Sequence, residues 1–301
     1  MTAQCLAAAY GLDLLLGDPE WFPHPVRGFG AMIRVGERQL RRLGGEPATE
    51  LLAGAVLTCS VVTMGWAMGR PRNAAWQVLL AWTALATRSL LDEASAVIHA
   101  LEANDLALAR TRLARIVGRD TADLDPSEIS RAVIETLAES ACDGIVAPLF
   151  WLAVGGVPLA MSYKAINTLD SMIGHPEPPY RHFGRFAARL DDAAGFMPAR
   201  LTALLIVSAA MFRGFGIWLR DGNKHASPNA GQSEAAMAGA LGVRLGGPST
   251  YDGHPHDAPL LNACGRRPDV GDARAALSIV AIVSGLAFGA ALLVVTWRSR
   301  R

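Results

Sequence analysis

Between Arg274 and Arg298 the chain runs for 23 uncharged residues, Ala275 to Trp297, long enough at ~1.5 Å per residue to cross a hydrocarbon core of ~30 Å. Leu51 to Gly69 is a second such run of 19 residues, and Asn73 to Thr87 follows after Arg70-Pro71-Arg72. That spacing reads as a tight turn between antiparallel membrane helices. Weaker stretches are Ala3 to Leu16, interrupted by Asp13, and Leu201 to Leu219, interrupted by Arg213. The pattern therefore predicts an all-α, multi-pass integral membrane protein with amphipathic helices and long polar loops. We expect one membrane-embedded domain over 1–301, with segments near 3–16, 51–69, 73–90, 144–163, 201–219 and 275–297.

The segment 144–163 is uncharged over 20 residues but contains Pro148, Gly155-Gly156 and Pro158, which remove backbone donors and favour breaks. Glu135, Glu139 and Asp143 crowd one end, Asn167 and Asp170 the other. A broken or re-entrant path would return both groups to one side of the membrane, where a straight span would part them. The polar stretches 88–143, 164–200 and 220–274 are too long for connectors and are expected to build the functional face.

Local signals place these groups on elements. Arg88 to Val117 reads as a helical hairpin broken at Asn104-Asp105. Asp125-Pro126-Ser127-Glu128 carries Asp at N-cap, Pro at N1 and Glu at N3, which starts a helix running to about Cys142. On it Glu135, Glu139 and Asp143 recur every four residues on one side, with Ile129, Val133 and Leu137 on another. The acidic stripe is either a solvated face or a divalent-cation site, and its continuation into an apolar segment favours the cation. Lys164, Asn167 and Asp170 recur at i, i+3 and i+6. Arg185, Arg189 and Asp192 do likewise beside Asp191, with Gly195 read as a helix stop and Pro198 as the next start. Each cluster is either a salt-bridged surface or an anion-plus-metal pocket. His225 to Gly231 forms a loop of turn residues before a helix, either capping it or holding an anion.

Composition supports the membrane reading. Apolar residues make up 51% of 301 and charged residues 18%, short of the ~25% with which a soluble domain covers itself. The 28 basic and 27 acidic residues nearly cancel, so no global charge argues for nucleic acid. Arg298, Arg300 and Arg301 favour a cytoplasmic end there. Asp13 and the lack of a basic leader argue against a cleaved signal peptide. Cys5, Cys59, Cys142 and Cys264 lack metal-ligand spacing and read as reduced packing residues. His254 and His256 are weak evidence for zinc without a third ligand. Walker A, G-x-S-x-G and H-E-x-x-H sequences are absent.

Seven ordered motifs, GDPEWFPHPVRGFG at 17–30, VGRDT at 117–121, E-x-x-x-E-x-x-x-DG at 135–144, YKAINTLDSMIG at 163–174, ARLDD at 188–192, PARLTALL at 198–205 and SPNAGQSEAAMAGALGVRLGG at 227–247, resemble the adenosylcobinamide-phosphate synthase family of cobalamin biosynthesis, the CbiB/CobD type. The resemblance implies a multi-pass membrane ligase that joins aminopropanol, or its phosphate, to a propionate carboxyl of adenosylcobyric acid. It supplies no residue roles. A carboxylate accepts an amine only after activation, most simply by ATP, which calls for Mg²⁺ and cationic clamps. The candidate catalytic groups are Asp120, Glu135, Glu139 and Asp143. Glu139, Asp143, Asp170, Asp191 and Asp192 are the candidate metal ligands. His24, Arg27, Arg119, Lys164, Asn167, Arg189, Arg200, Ser227, Asn229 and Arg244 are the candidates for substrate and phosphate. The expected partners are the two substrates and membrane lipid, with other late cobalamin-pathway enzymes or a second copy as protein partners. ATP and its co-substrate are cytoplasmic, so the site should open to the cytoplasm from the cell membrane. Two other readings fit the raw features, a Mg²⁺-dependent membrane prenyltransferase and a non-enzymatic transport or assembly component.

Overall fold

The computed structural model describes every residue except Glu20, Arg72, Asp252 and Arg301, together with all side chains of those described except that of Leu43. Arg72 of the expected interhelical turn, Glu20 of the first motif and Arg301 of the basic cluster thus lie outside the described residues. In chain order the helices are α1 (Ala3–Leu16), α2 (Pro25–Leu40), α3 (Pro47–Gly69), α4 (Ala74–Ala84), α5 (Thr87–Glu102), α6 (Leu106–Leu113), α7 (Pro126–Ala141), α8 (Ala147–Ile173), α9 (Arg185–Ala209), α10 (Phe215–Asp221), α11 (Ala230–Leu241) and α12 (Val270–Ser299). Strands β1 (Leu245–Tyr251) and β2 (His254–Leu261) form one antiparallel hairpin. The protein is an all-α, multi-pass membrane protein. Four helical stretches, Pro47–Gly69, Pro126–Ile173, Arg185–Ala209 and Val270–Ser299, are long and apolar enough to cross a bilayer. Leu52, Val56 and Met64 on α3 and Ile282, Leu286 and Leu293 on α12 are exposed, as lipid-facing side chains are.

The chain divides into two compact units, one of Met1–Ala86, Ala147–Gly195 and Phe288–Arg301, the other of Thr87–Val146 and Phe196–Ala287. In the first, α3 packs along α8 through glycines. A Cβ on Gly65 would lie 2.7 Å from Met161 O, and one on Gly69 would lie 2.5 Å from Pro158 Cα. Small residues allow this backbone approach where lipid gives helices no hydrophobic drive to associate. Trp82 Nε1 donates to Gly17 O at 3.0 Å, sealing the end of α1 onto α4.

The segment 144–163 is broken, as its prolines and glycines predict. Cys142–Val146 forms a π turn, and α8 is interrupted at Gly156, whose φ of 71° and ψ of −162° are non-helical. Pro158 has no N–H to offer Val154 O. Arg298 supplies the replacement, donating from Nη1 to Ala153 O at 2.9 Å and also to Val154 O.

Three sequence expectations need correction. The segment 73–90 is not one helix, because α4 stops at Ala84 where Leu85 turns extended. The segment 201–219 belongs to two helices, parted by a turn in which Met211 and Phe212 take φ of 55° and 62°. Gly195 and Pro198 do not interrupt α9. Proline removes a single donor there, and the helix continues with Thr202 Oγ1 donating to Pro198 O at 2.8 Å.

Candidate active site

The second unit gathers the acidic helix, α11 and the hairpin. α5 and α6 form the expected hairpin, with Asn104 at a φ of 57° and Asp105 accepting from Leu108 N at 2.9 Å. α7 opens with a complete capping box. Asp125 Oδ1 accepts from Glu128 N and Glu128 Oε2 from Asp125 N, both at 2.8 Å. Ile129, Val133 and Leu137 are fully buried on the apolar side, which fixes where the acidic stripe points.

Glu135 is 7% exposed. Its Oε2 accepts from Arg119 Nη2 at 2.5 Å and its Oε1 from Gly246 N at 2.8 Å, so both oxygens anchor other segments to α7. Burial opposes the Arg119 charge, but Glu135 more than offsets it and holds the guanidinium above its ordinary pKa. Arg131, one turn earlier, donates from Nη1 to Gly246 O at 2.7 Å and from Nη2 to Pro248 O at 2.8 Å. These bonds hold a strand whose two glycines and one proline could not specify it unaided.

Glu234 on α11 completes the cluster and is buried. Burial, then the charges of Glu135 and Glu139, push its carboxyl well above the usual range, against the pull of Arg119. A carboxyl whose pKa is raised by burial and by neighbouring carboxylates holds its proton more tightly, and its carboxylate is the more basic one. His225 also faces this field; burial lowers its pKa, and its Nδ1 accepts from Ser227 N at 3.0 Å, placing the neutral ring's hydrogen on Nε2. Sequence reasoning missed Glu234 and Arg131, although the motif at 227–247 contains Glu234.

Glu139 is exposed and Asp143 half-buried in the π turn; such turns are frequent at functional sites. Among the described residues no three His, Cys, Asp or Glu side chains converge as a ready metal site. Glu139 and Asp143, four residues apart, are the two carboxylates of the stripe that could contribute to a Mg²⁺ whose shell phosphate oxygens complete. Glu135 does not fit, because its oxygens are taken.

A cavity of about 330 Å³ in the same unit is lined by Glu128, Arg131, Arg244, Gly246, Gly247 and Arg267. Arg267 pairs with Asp125 at 2.7 Å, while the Arg244 side chain has no hydrogen-bond or ion-pair partner among the described residues. Arg200 reaches Asn229 Oδ1 and Pro228 O, each at 3.5 Å, and Ser227 Oγ accepts from Asn229 N at 3.2 Å and Ala230 N at 3.3 Å. The 225–229 loop is thus a cap of α11 that Arg200 braces. Asp120 Oδ2 accepts from Gly253 N at 2.9 Å and so ties down the hairpin tip.

The first unit holds the remaining candidates. His24 Nδ1 caps α2, accepting from Val26 N at 3.3 Å, and Arg27 donates to Pro19 O at 3.4 Å. Lys164, Asn167 and Asp170 are half-buried on α8. Arg189 is exposed and lies 4.0 Å from Asp192, beside half-buried Asp191.

Long apolar helices and a buried ionisable cluster near the π turn define a polytopic membrane protein with a polar site built from its connecting segments. The family model described as CobD/Cbib protein matches residues 6–280. The chain is 42% identical to the cobalamin biosynthesis protein CobD of Klebsiella pneumoniae, with 95% of each chain covered. It is 48% identical to CobD of Geobacter metallireducens over 83% of each, and 42% identical to the cobalamin biosynthesis protein CbiB of Salmonella typhimurium over 95% of each. No solved structure matches it. The chain belongs to the CobD/CbiB family.

Proposed function

We propose that this protein acts in cobalamin biosynthesis as an adenosylcobinamide-phosphate synthase, a ligase that forms an amide between a propionate carboxyl of adenosylcobyric acid and aminopropanol or its O-phosphate. The supporting observation is the match to cobalamin biosynthesis proteins over 95% of both chains. It favours this reading over prenyl transfer or transport. ATP with Mg²⁺ would supply the activation that turns an unreactive carboxylate into an acyl phosphate. The amine then attacks the carbonyl carbon, the bond to phosphate breaks, and the amine gives up a proton.

The residues divide these tasks. Glu139 and Asp143 hold the cation, and Arg244 with Arg267 holds phosphate at the cavity beside β1. Glu135 positions Arg119 and the Gly246 backbone. Glu234, in its ionised form, accepts the proton that the amine gives up, its raised pKa making it the more basic carboxylate, in a site whose phosphate-bearing substrates require it to face the cytoplasm. The test supplies membranes containing the protein with adenosylcobyric acid, ATP, Mg²⁺ and aminopropanol phosphate and looks for the amide by mass spectrometry. ATP-dependent amide is the expected product, and its absence from membranes containing folded protein overturns the assignment.

A further inference from the structure

A second cationic cavity lies in the first unit, where the chain leaves α8 and enters α9. It measures about 410 Å³ and is lined by His175, Arg181, His182, Arg185, Arg189 and Asp192 among others. Three guanidiniums face one carboxylate there. Arg181 and Arg185 are exposed and have no hydrogen-bond or ion-pair partner among the described residues, and Arg189 approaches only Asp192, at 4.0 Å. Cations gathered without matching anions repel one another, and their summed field favours an anionic guest.

The rim is built to keep its shape. Arg41 Nη2 donates to Pro179 O at 3.0 Å, and its guanidinium lies over the rings of Tyr180 and Phe183 at 5.1 and 4.5 Å. Glu37 holds the same guanidinium at 2.9 Å and Glu50 at 3.5 Å. Gly184 brings the loop so close to the end of α8 that a Cβ would sit 1.5 Å from Ile173 O. The loop carrying Arg181 and His182 is therefore fixed from both sides before any ligand arrives, which limits the ordering cost of binding.

We propose that this cavity is a phosphate-ester site, in which Arg181 and Arg185, with Arg189 beside them, grip a phosphate group through their planar N–H forks. The phosphate belongs either to a soluble ester or to a lipid headgroup, since Arg185 opens a helix long enough to span the membrane. The site does not depend on the amide-forming activity, and its test reads binding alone.

The full chain, in nanodiscs of phosphatidylcholine, is titrated with ATP, phosphoethanolamine and inorganic phosphate. A parallel set of discs contains phosphatidylglycerol, with retained lipid measured after detergent exchange. The charge-removing pair Arg181→Gln/Arg185→Gln should weaken the binding of whichever phosphate compound is held by about tenfold or more. Arg181→Lys/Arg185→Lys, which keeps the charge but not the fork, should lie between that pair and the parent chain. Binding of soluble esters identifies a free ester, and retention of phosphatidylglycerol alone identifies a headgroup; either result, if lost in the Gln pair, supports the site. The proposal is overturned if no phosphate compound binds, or if the folded Gln pair binds every compound as the parent chain does; loss in Arg244→Gln would then assign that binding to the cavity beside β1.

Discussion

Replacing Arg119 by Met tests whether the Arg119–Glu135 pair anchors the active-site segments. The two side chains are only 13% and 10% exposed, and their contact is 2.5 Å. Without Arg119, Glu135 keeps the Gly246 N–H, while the other cation near it, Arg131 Nε, is 4.0 Å away. Removing one partner of a buried pair leaves an uncompensated charge and costs about 3–5 kcal/mol. At roughly 2–4 °C per kcal/mol for a domain of this size class, the melting transition in detergent should fall by about 6–20 °C. Glu135→Gln in the Arg119→Met background removes the stranded charge and keeps an acceptor for Gly246, so it should recover part of the loss, a coupling of about 0.5–3 kcal/mol. Thermal unfolding of the four proteins, followed by helical circular dichroism, closes the cycle. A loss below about 1 kcal/mol in Arg119→Met, or strict additivity in the double variant, would refute the reasoning.

Other consequences can be measured separately. Glu234 has a raised folded pKa, so its contribution is fully present below the unfolded carboxylate value of about 4.3 and is lost as pH rises from there through the folded value; Glu234→Gln should flatten that decline in melting temperature with rising pH and abolish amide formation, and an unchanged pH profile counts against the raised pKa. Asp221 behaves oppositely: its fully buried carboxylate accepts from Arg220, from Lys224 at 2.7 Å and from Asn262 N at 2.8 Å. These bonds depress its pKa, so stability present above about 3.9 should drain away as pH falls; Asp221→Asn should remove that acid dependence in a urea melt. Glu139→Gln and Asp143→Asn should each eliminate Mg²⁺-dependent turnover while leaving helix content and membrane insertion unchanged, whereas wild-type rates at limiting Mg²⁺ would reduce the stripe to a solvated face. Gly54→Ala would place a methyl 1.7 Å from Phe183 O, and should cost at least the ~1–3 kcal/mol of an overpacked core, read as reduced yield and melting temperature.

The features legible in the sequence were those set by neighbours along the chain. The capping box at Asp125, the turn at Asn104-Asp105 and the broken segment around Gly156 each depend on residues within a few positions, and each stands in the structure. The hairpin was not legible. Its strands contain Gly246, Gly247, Pro248, Pro255 and Pro259 and lack regular alternation, and the first strand is held from outside by Arg131 and Glu135. Glu234 escaped notice for a related reason, since its altered acidity comes from burial against α7 and not from its own motif. The continuity of α9 through Gly195 and Pro198 shows local breaking signals overruled where a long helix keeps most of its backbone bonds.

The bond from Arg298 to the break in α8 has a consequence for biogenesis. Arg298 lies 145 residues beyond Ala153, so the ribosome delivers the broken helix to the membrane long before its donor exists. During that interval the carbonyls of Ala153 and Val154 must be hydrated or borrow another partner, because exposed backbone is not tolerated in hydrocarbon. Insertion of α12 then expels that temporary partner. Maturation of the first unit is therefore a late, post-insertional event, and a ribosome stalled before α12 should leave the neighbourhood of Gly156 open to protease or water-borne label in a chain whose earlier helices are already in place.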